Sequence, residues 1–362
     1  MRKTTIQWCD NAVNPVMGCA GCELWPTTTT VHAKLLTLLR DKIPGQAADE
    51  LSRSVLIHVP NDLRPSQVLG DLTTILAAIL NDCGQSNSST LTNELDAAVS
   101  SLFRFYAGHA ALNHAGKVPG FPAVFEIPQL FPGRMAEAAA APDLSGRIRP
   151  DKPWLNHLPR VISIGDLGEC FSPEILFDWL KSEIIDVVAT PNGQRHFWLW
   201  MTKHPRRMAD FLKWLRCRGI RWPANLVPVA SVTSQETVHR VRDLLQMHVP
   251  VRAVAVDPFW EAVELPLTGI DWVLAGAEVG PGARPFPLEA ARNLKRDCEA
   301  RGVPLFFSRL GQVLQGDSGK YRLRSYQGSD LSEWPIDLQV RKFPAAFSLV
   351  RRAKVSEVIK AA

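Results

Sequence analysis

The sequence predicts an α/β fold: a full or partial (β/α) barrel with an inserted helical subdomain. From about Val124 onward, short β-rich runs alternate with helical stretches, a spacing that implies βαβ units and a parallel sheet. These runs are nearly continuous in apolar residues, as strands are when both faces of their sheet are covered. No Gly-x-Gly-x-x-Gly follows the early strands, which favours a barrel over a doubly wound sheet.

Residues 1–26 read as a first barrel strand, Thr4 to Trp8, followed by a cysteine loop. Residues 27–104 have a different texture. Helical segments run from Val31 to Leu39, Ala47 to Leu56, Leu69 to Leu80 and Leu91 to Phe103. In the third of these, Leu72, Ile75, Leu76, Ile79 and Leu80 share one helical face. Pro44-Gly45, Pro60 to Pro65 and the Ser/Asn-rich Gly84 to Ser89 punctuate them. With no strand signal of note, this is the inserted subdomain, read as a lid or packing module.

Residues 105–315 supply the barrel. Its strands are Val124 to Ile127, Val161 to Ile164, His196 to Met201, Leu226 to Val232, Val251 to Val256, Trp272 to Ala275 and Val303 to Phe307. Helices fall at Pro173 to Val188, Arg206 to Arg218, Ser234 to Gln246 and Leu288 to Arg301. With the N-terminal strand the total is roughly eight. Residues 316–362 open on a turn, Gly316 to Lys320, and end in a basic, helix-prone tail.

Composition narrows the function classes. A chain that is 46% hydrophobic and 21% charged is an ordinary globular one. No run of about 18 apolar residues exists to span a membrane. The start, Met1 to Thr5, lacks an apolar signal core, so a cytoplasmic location is expected. Seven cysteines, an odd count, argue against a disulfide framework. The net charge of +5 permits an anionic partner without requiring one. The dense cations Lys203 to Arg207 and Arg216 to Arg221 form either a solvated helix face or a phosphate-contacting rim.

Chemistry in a parallel barrel gathers at the C-terminal strand ends. Asp166 and Glu169 follow Val161 to Gly165, and Thr202 and Lys203 follow Phe197 to Met201. Ser231, Thr233 and Ser234 close the next strand, Asp257 the one after, then Glu278, then Ser308 and Arg309. Each alone is as well explained by a turn or cap. Together they outline a polar cavity suited to a small molecule or nucleoside. The loop Gly276 to Pro285 is glycine-rich, so its backbone can approach a ligand closely. There Glu278 can accept from an amine or ribose, and Arg284 can pair with a carboxylate or phosphate.

Near the N-terminus Cys9, Cys19 and Cys22 place three thiols in a short loop-like stretch, soft ligands for an Fe–S cluster or zinc. The surrounding motifs are Ile6 to Asp10, Asn14 to Cys19, Cys22 to Trp25, Tyr106-Ala107-Gly108, Leu130 to Met135, Thr202 to Pro205, Asp271 to Val273, Gly280 to Pro285 and Gly302 to Phe307. On these the chain resembles a phage-associated protein family of unknown function that carries a three-cysteine, radical-SAM-like motif.

The resemblance implies a barrel of radical-SAM/TIM type, a [4Fe–4S] cluster and S-adenosylmethionine as cofactor. Cys9, Cys19 and Cys22 would hold the cluster. Ser231, Thr233, Glu278, Gly280 and Arg284 would line the cofactor pocket. Asp166, Glu169, Lys203 and Asp257 would face the substrate, a nucleic-acid base or nucleotide. The family's third cysteine is replaced here by Phe105, so either Cys9 supplies the missing ligand or the cluster is lost. Two other strand ends depart from the pattern, with Asp257-Pro258 where a glutamate is usual and Ser308-Arg309 where a lysine is usual.

Two further readings follow from the same residues. A catalytically retired descendant would act as an interaction or nucleic-acid-binding protein in a phage or defence system, with a protein partner on the helical insertion. A zinc site would join Cys19, Cys22 and Cys9 to His32, His109 or His114.

Overall fold

The computed structural model describes residues 2–18, 127–279, 283–316 and 319–347. The chain divides into two compact units: Met1–Met17, Pro128–Val279 and Ala283–Ala362 form the first, and Gly18–Ile127 with Gly280–Gly282 the second. Residues 19–126 lie outside the described residues, and with them the expected helical insertion and the start of the strand expected at Val124.

The first unit opens with β1 (Arg2–Lys3), β2 (Asn11–Val13), β3 (Val16–Met17) and β4 (Gln129–Leu130), then α1 (Arg134–Ala139). There follow β5 (Arg160–Ile164), α2 (Phe177–Leu180), a π-helical turn at Lys181–Ile185 and α3 (Asp186–Ala189). β6 (His196–Thr202), α4 (Pro205–Arg216), β7 (Leu226–Val232) and α5 (His239–Leu245) come next. β8 (Ala253–Val256) and β9 (Trp272–Ala275) have no α-helix between them. The unit ends with β10 (Phe286–Pro287), α6 (Leu288–Ala300), β11 (Leu305–Phe307), β12 (Val313–Gly316) and β13 (Gly319–Arg322).

The main sheet runs β1-β2-β5-β6-β7-β8-β9-β11. β2 onward are parallel, and β1 is antiparallel at the edge. This corrects the expected fold. The sheet is a curled half-barrel of seven parallel strands with few helices, not a (β/α) barrel of radical-SAM/TIM type. Both edges are taken, which explains why it stays open. β1 occupies one, pairing Arg2 with Ala12. At the other, Phe307 N–H donates to the Val340 carbonyl (2.9 Å) and Lys342 N–H to the Leu305 carbonyl (2.9 Å). A strand that would have closed the cylinder finds the outer groups of β11 already bonded.

Residues 319–347 are accordingly part of the fold. β12 and β13 form a hairpin from Val313 to Arg322, and Leu338 and Phe347 are buried. The N-terminal segment also differs from its expectation: the parallel strand falls at Asn11–Val13, after Trp8, not at Thr4 to Trp8. Lys152 Nζ holds the Thr4–Cys9 segment by donating to the carbonyls of Thr4 (3.0 Å), Ile6 (2.7 Å) and Cys9 (2.6 Å).

Each face of the sheet has its own packing. On the helical face Ile162, Ile164, Trp198 and Trp200 meet Met208, Phe211, Leu212 and Leu215 of α4, and Leu294 and Cys298 of α6. The α4 residues follow helical spacing, and Pro205 begins the helix, where its missing N–H costs nothing. Burying each large apolar side chain stabilises the fold by about 1.5–3 kcal/mol. On the inner face Val161, Leu199, Val229, Ala255, Leu274 and Phe306 meet Trp154, Leu155 and Phe347. Phe347 stacks on Phe197 at 4.2 Å between centroids and meets Trp272 edge-on at 5.2 Å. Aromatic side chains from the C-terminal segment thus fill the floor of the half-barrel.

Candidate ligand-binding site at the strand ends

Side chains alternate across a strand, so the inner face can be followed from the apolar floor to the C-terminal ends. Val256 pairs with Val232 and with Ala275, and Ala275 pairs with Phe307. One residue further on, that register sets Thr233, Asp257, Gly276 and Ser308 side by side. Ser231 lies one step below, beside Ala255. The polar layer therefore sits directly above Ala255, Leu274 and Phe306.

Asp257 is its charged centre. Arg309 donates from its terminal guanidinium nitrogen to Asp257 Oδ1 (2.8 Å) and from Nε to the Ala277 carbonyl (3.0 Å). Both side chains are about as buried, 13% and 15% exposed. Burial pushes the Asp257 carboxyl above the usual carboxylate range, against the opposing pull of Arg309 and Ser308. Gly276 has no side chain for a steric reason. A Cβ there would run into Ser308 Oγ and lie 2.8 Å from Asp257 Oδ2. The carboxylate and the hydroxyl therefore converge over one glycine.

The hydroxyls of this layer are buried. Thr233 Oγ1 is fully buried with no well-formed hydrogen bond, as is Ser163 Oγ further down on β5, while the fully buried Ser308 hydroxyl lies against the Asp257 carboxylate. Native proteins rarely leave such groups unpaired without a water or ligand to meet them. Glu278, 5% exposed, accepts from the Arg284 backbone N–H (3.0 Å), and Arg284 Nε lies 3.9 Å from the same oxygen. The Arg284 guanidinium rests over the Trp260 ring at 4.2 Å.

The structure sorts the residues named from the sequence. Asp257, Ser231, Thr233 and Glu278 are brought to the strand-end layer, and Arg284 reaches it through Glu278. Glu169 has a different place. It is 3% exposed, and its carboxylate accepts from Thr202 Oγ1, Phe171 N–H and Lys203 N–H, each at 2.8 Å. It ties the end of β5 to the end of β6 and so holds the backbone at Lys203. Asp166 Oδ1 accepts from Asn14 Nδ2 (2.7 Å), and Asn14 Oδ1 in turn accepts from Leu167 N–H (2.9 Å). Gly280, Cys19, Cys22, Phe105, His32, His109 and His114 lie outside the described residues.

Ser308, Arg309 and Gly276 complete the layer; the sequence placed them at the strand ends without giving them a role. Their signal was present, since Ser308 and Arg309 follow an apolar strand directly. Without the register, nothing separated them from turn residues.

Of the three cysteines that the resemblance implies as cluster ligands, Cys9 is the one among the described residues. It is completely buried in the apolar floor with Trp8, Leu155 and Val161. Burial pushes its thiol far above the usual range. Among the described residues, no group of three His, Cys, Asp or Glu is placed to hold a metal ion.

A family model described as "Protein of unknown function (DUF5131)" matches residues 144–340, more than half of the chain. The chain belongs to this family. The match covers the sheet from β5 to β11 and every residue of the strand-end layer. That description carries neither a radical-SAM motif nor a phage association. No curated protein and no solved structure matches the chain. No helix among the described residues is long and apolar enough to cross a membrane.

Proposed function

We propose that this DUF5131 member binds a small molecule of the nucleoside class, S-adenosylmethionine among them, over the C-terminal ends of β7, β8, β9 and β11. The observation that carries this reading is the fully buried Thr233 hydroxyl, which has no well-formed hydrogen bond and stands one strand away from Asp257. Electrostatics narrow the class. Asp257 is already paired with Arg309, and Glu278 with Arg284, so recognition rests on hydrogen bonds more than on net charge. A ribose and a base offer many such bonds, and the apolar residues below suit the faces of their rings.

Isothermal titration of the full chain with adenosine and with S-adenosylmethionine tests the reading. Saturable binding that weakens roughly tenfold in Thr233→Val, equivalent to about 1.4 kcal/mol, supports it. Absence of binding by either compound to the folded wild-type protein refutes it. Anaerobic reconstitution with iron and sulfide belongs beside it. Iron bound by wild type and lost in Cys9→Ala would make Cys9 a ligand, and iron content unchanged in that variant would exclude it.

A further inference from the structure

We infer that the exposed face of α4 and the loop that follows it form a docking surface for the phosphate backbone of a double-stranded nucleic acid. The inference does not rest on the strand-end site, since other residues carry it.

Positive charge is concentrated on this surface. From Lys203 to Arg221 the chain carries seven lysines and arginines against one carboxylate, Asp210, a net +6 in a protein whose total is +5. Arg206, Lys213, Arg216, Arg218 and Arg221 are all exposed. Helical spacing sets Arg206 and Lys213 on one outer stripe of α4. Arg216 reaches across to the end of α5 and donates to the His248 carbonyl (2.9 Å). Arg218 and Arg221 continue past α4 toward the start of β7 at Leu226. The cations therefore run down α4 to the N-terminal edge of the sheet, the end away from Thr233 and Asp257.

Pairing separates this face from an ordinary solvated one. On α6, Arg292 bonds both Glu289 and Asp337, and Lys295 lies 3.3 Å from Glu299. On α4, Lys213 meets Asp210 at 3.0 Å. Among the described residues, Arg206, Arg216, Arg218 and Arg221 have no carboxylate at ion-pair distance. Helix stability does not account for them all. Cations favour the last turn, where Lys213 and Arg216 stand, but Arg206 stands in the first turn, where the helix dipole opposes it. Two of the guanidiniums are also fixed in place. Arg218 lies 3.8 Å over the Trp214 ring and donates to the Trp214 carbonyl (3.4 Å), as Arg216 does to His248. A guanidinium has five N–H donors, so each keeps most of its fork for phosphate oxygens.

The surroundings select the partner. Proteins that grip single strands stack bases on open aromatic rings. Here Trp214 is engaged by Arg218 and Phe211, and Trp222 by Trp200. A lipid surface calls for apolar side chains that enter it. No large apolar residue from Arg206 to Arg221 is exposed. A duplex asks only for fixed cations, because it carries one negative charge per about 1.7 Å of its axis.

The test is fluorescence anisotropy of the full chain with a labelled mixed-sequence DNA duplex and with its single strand, from about 50 to 200 mM salt. Wild type should bind the duplex in the micromolar range and more tightly than the single strand. Arg216→Gln/Arg218→Gln should weaken duplex binding roughly tenfold or more. It should also lower the slope of log affinity against log salt by about 1.8, the share of two phosphate contacts. Arg206→Gln/Arg221→Gln should do the same. Those two side chains hold nothing else among the described residues, so a folding defect in the first variant cannot hide the answer. Lys320→Gln/Arg322→Gln removes equal charge from β13 and should change affinity less than about twofold. Absence of duplex binding at the lowest salt overturns the inference, as does equal weakening by the β13 variant, which would report net charge alone. Tighter binding of the single strand overturns the choice of duplex. Binding to phosphatidylserine vesicles without binding to duplex would assign the patch to a lipid surface instead.

Discussion

Replacing Glu169 separates a structural role from a ligand-facing one. Its carboxylate accepts three hydrogen bonds at 2.8 Å, from Thr202 Oγ1, Phe171 N–H and Lys203 N–H, in a site 3% exposed. In Glu169→Gln the remaining carbonyl can keep the Thr202 and Phe171 donors. The new amide nitrogen then faces the Lys203 N–H, so one buried donor is orphaned against another. A buried donor left unpaired costs about 1–3 kcal/mol, and Gln should lose about 2–3 kcal/mol. Glu169→Ala orphans all three, although the Thr202 hydroxyl keeps its bond from His204 N–H at 2.9 Å. Its cost should be about 3–5 kcal/mol once water enters the gap. At about 2–4 °C per kcal/mol for a unit of this size, Gln should melt about 5 °C below wild type and Ala about 10 °C below. Differential scanning fluorimetry and urea unfolding give both numbers. Ligand affinity of the folded Gln variant should fall far less than that of Thr233→Val. A variant that melts like wild type but loses binding would show that Glu169 faces ligand after all.

Two more outcomes follow from burial. His196 is 1% exposed, its Nε2 lies 3.1 Å from the Ala139 carbonyl, and burial lowers its pKa below the ordinary 6.5. The unfolded chain therefore binds this proton first, so stability is complete above about pH 6.5 and falls as pH drops toward the lowered value. Urea midpoints from pH 7.5 to 5 should show that decline, and His196→Gln should flatten it; an unchanged slope in the variant would count against the assignment. Cys217 is exposed, whereas Cys9 and Cys170 are buried with thiols raised well above the usual range, that of Cys170 to about 12. Iodoacetamide on native protein at pH 8 should label Cys217 and spare the other two, as read by peptide mass spectrometry; prompt labelling of Cys9 would contradict its burial.

The strands were the most legible part of the sequence, for a local reason. Runs such as His196 to Met201 and Leu226 to Val232 are covered on both faces, so they are apolar without interruption, and β6 and β7 fall on them to within one residue. Helix α4 was legible because Pro205 opens it and its buried positions follow helical spacing. Closure was not legible, because it depends on residues far apart in sequence. Nothing local about Val340 to Lys342 reveals that they bond to β11, or that Phe347 stacks on Phe197. The site was half legible for the same reason. Polar residues after strands are visible one by one, but the convergence of Asp257 and Ser308 over Gly276 is a property of register across β8, β9 and β11. Glu169 shows the difficulty, since a carboxylate after a strand looks the same in sequence whether it faces a cavity or bonds the neighbouring strand.

The open sheet and the polar layer are linked by one physical economy. A closed barrel fills its interior with layers of side chains from every strand. Here the missing strands are replaced on the inner face by aromatic residues of the C-terminal segment. They pack against the lower rows through Phe197, Trp272 and Phe306 and leave the upper row to polar groups. Arg341 joins the two levels: its guanidinium rests against Trp154 near the floor while it donates to the carbonyls of Phe307 and Ser308 at the strand end. The segment that prevents closure therefore also fixes the backbone on which Ser308 and Arg309 stand. A change in the Val340–Phe347 region should reach the ligand site through β11, not by contact with the ligand.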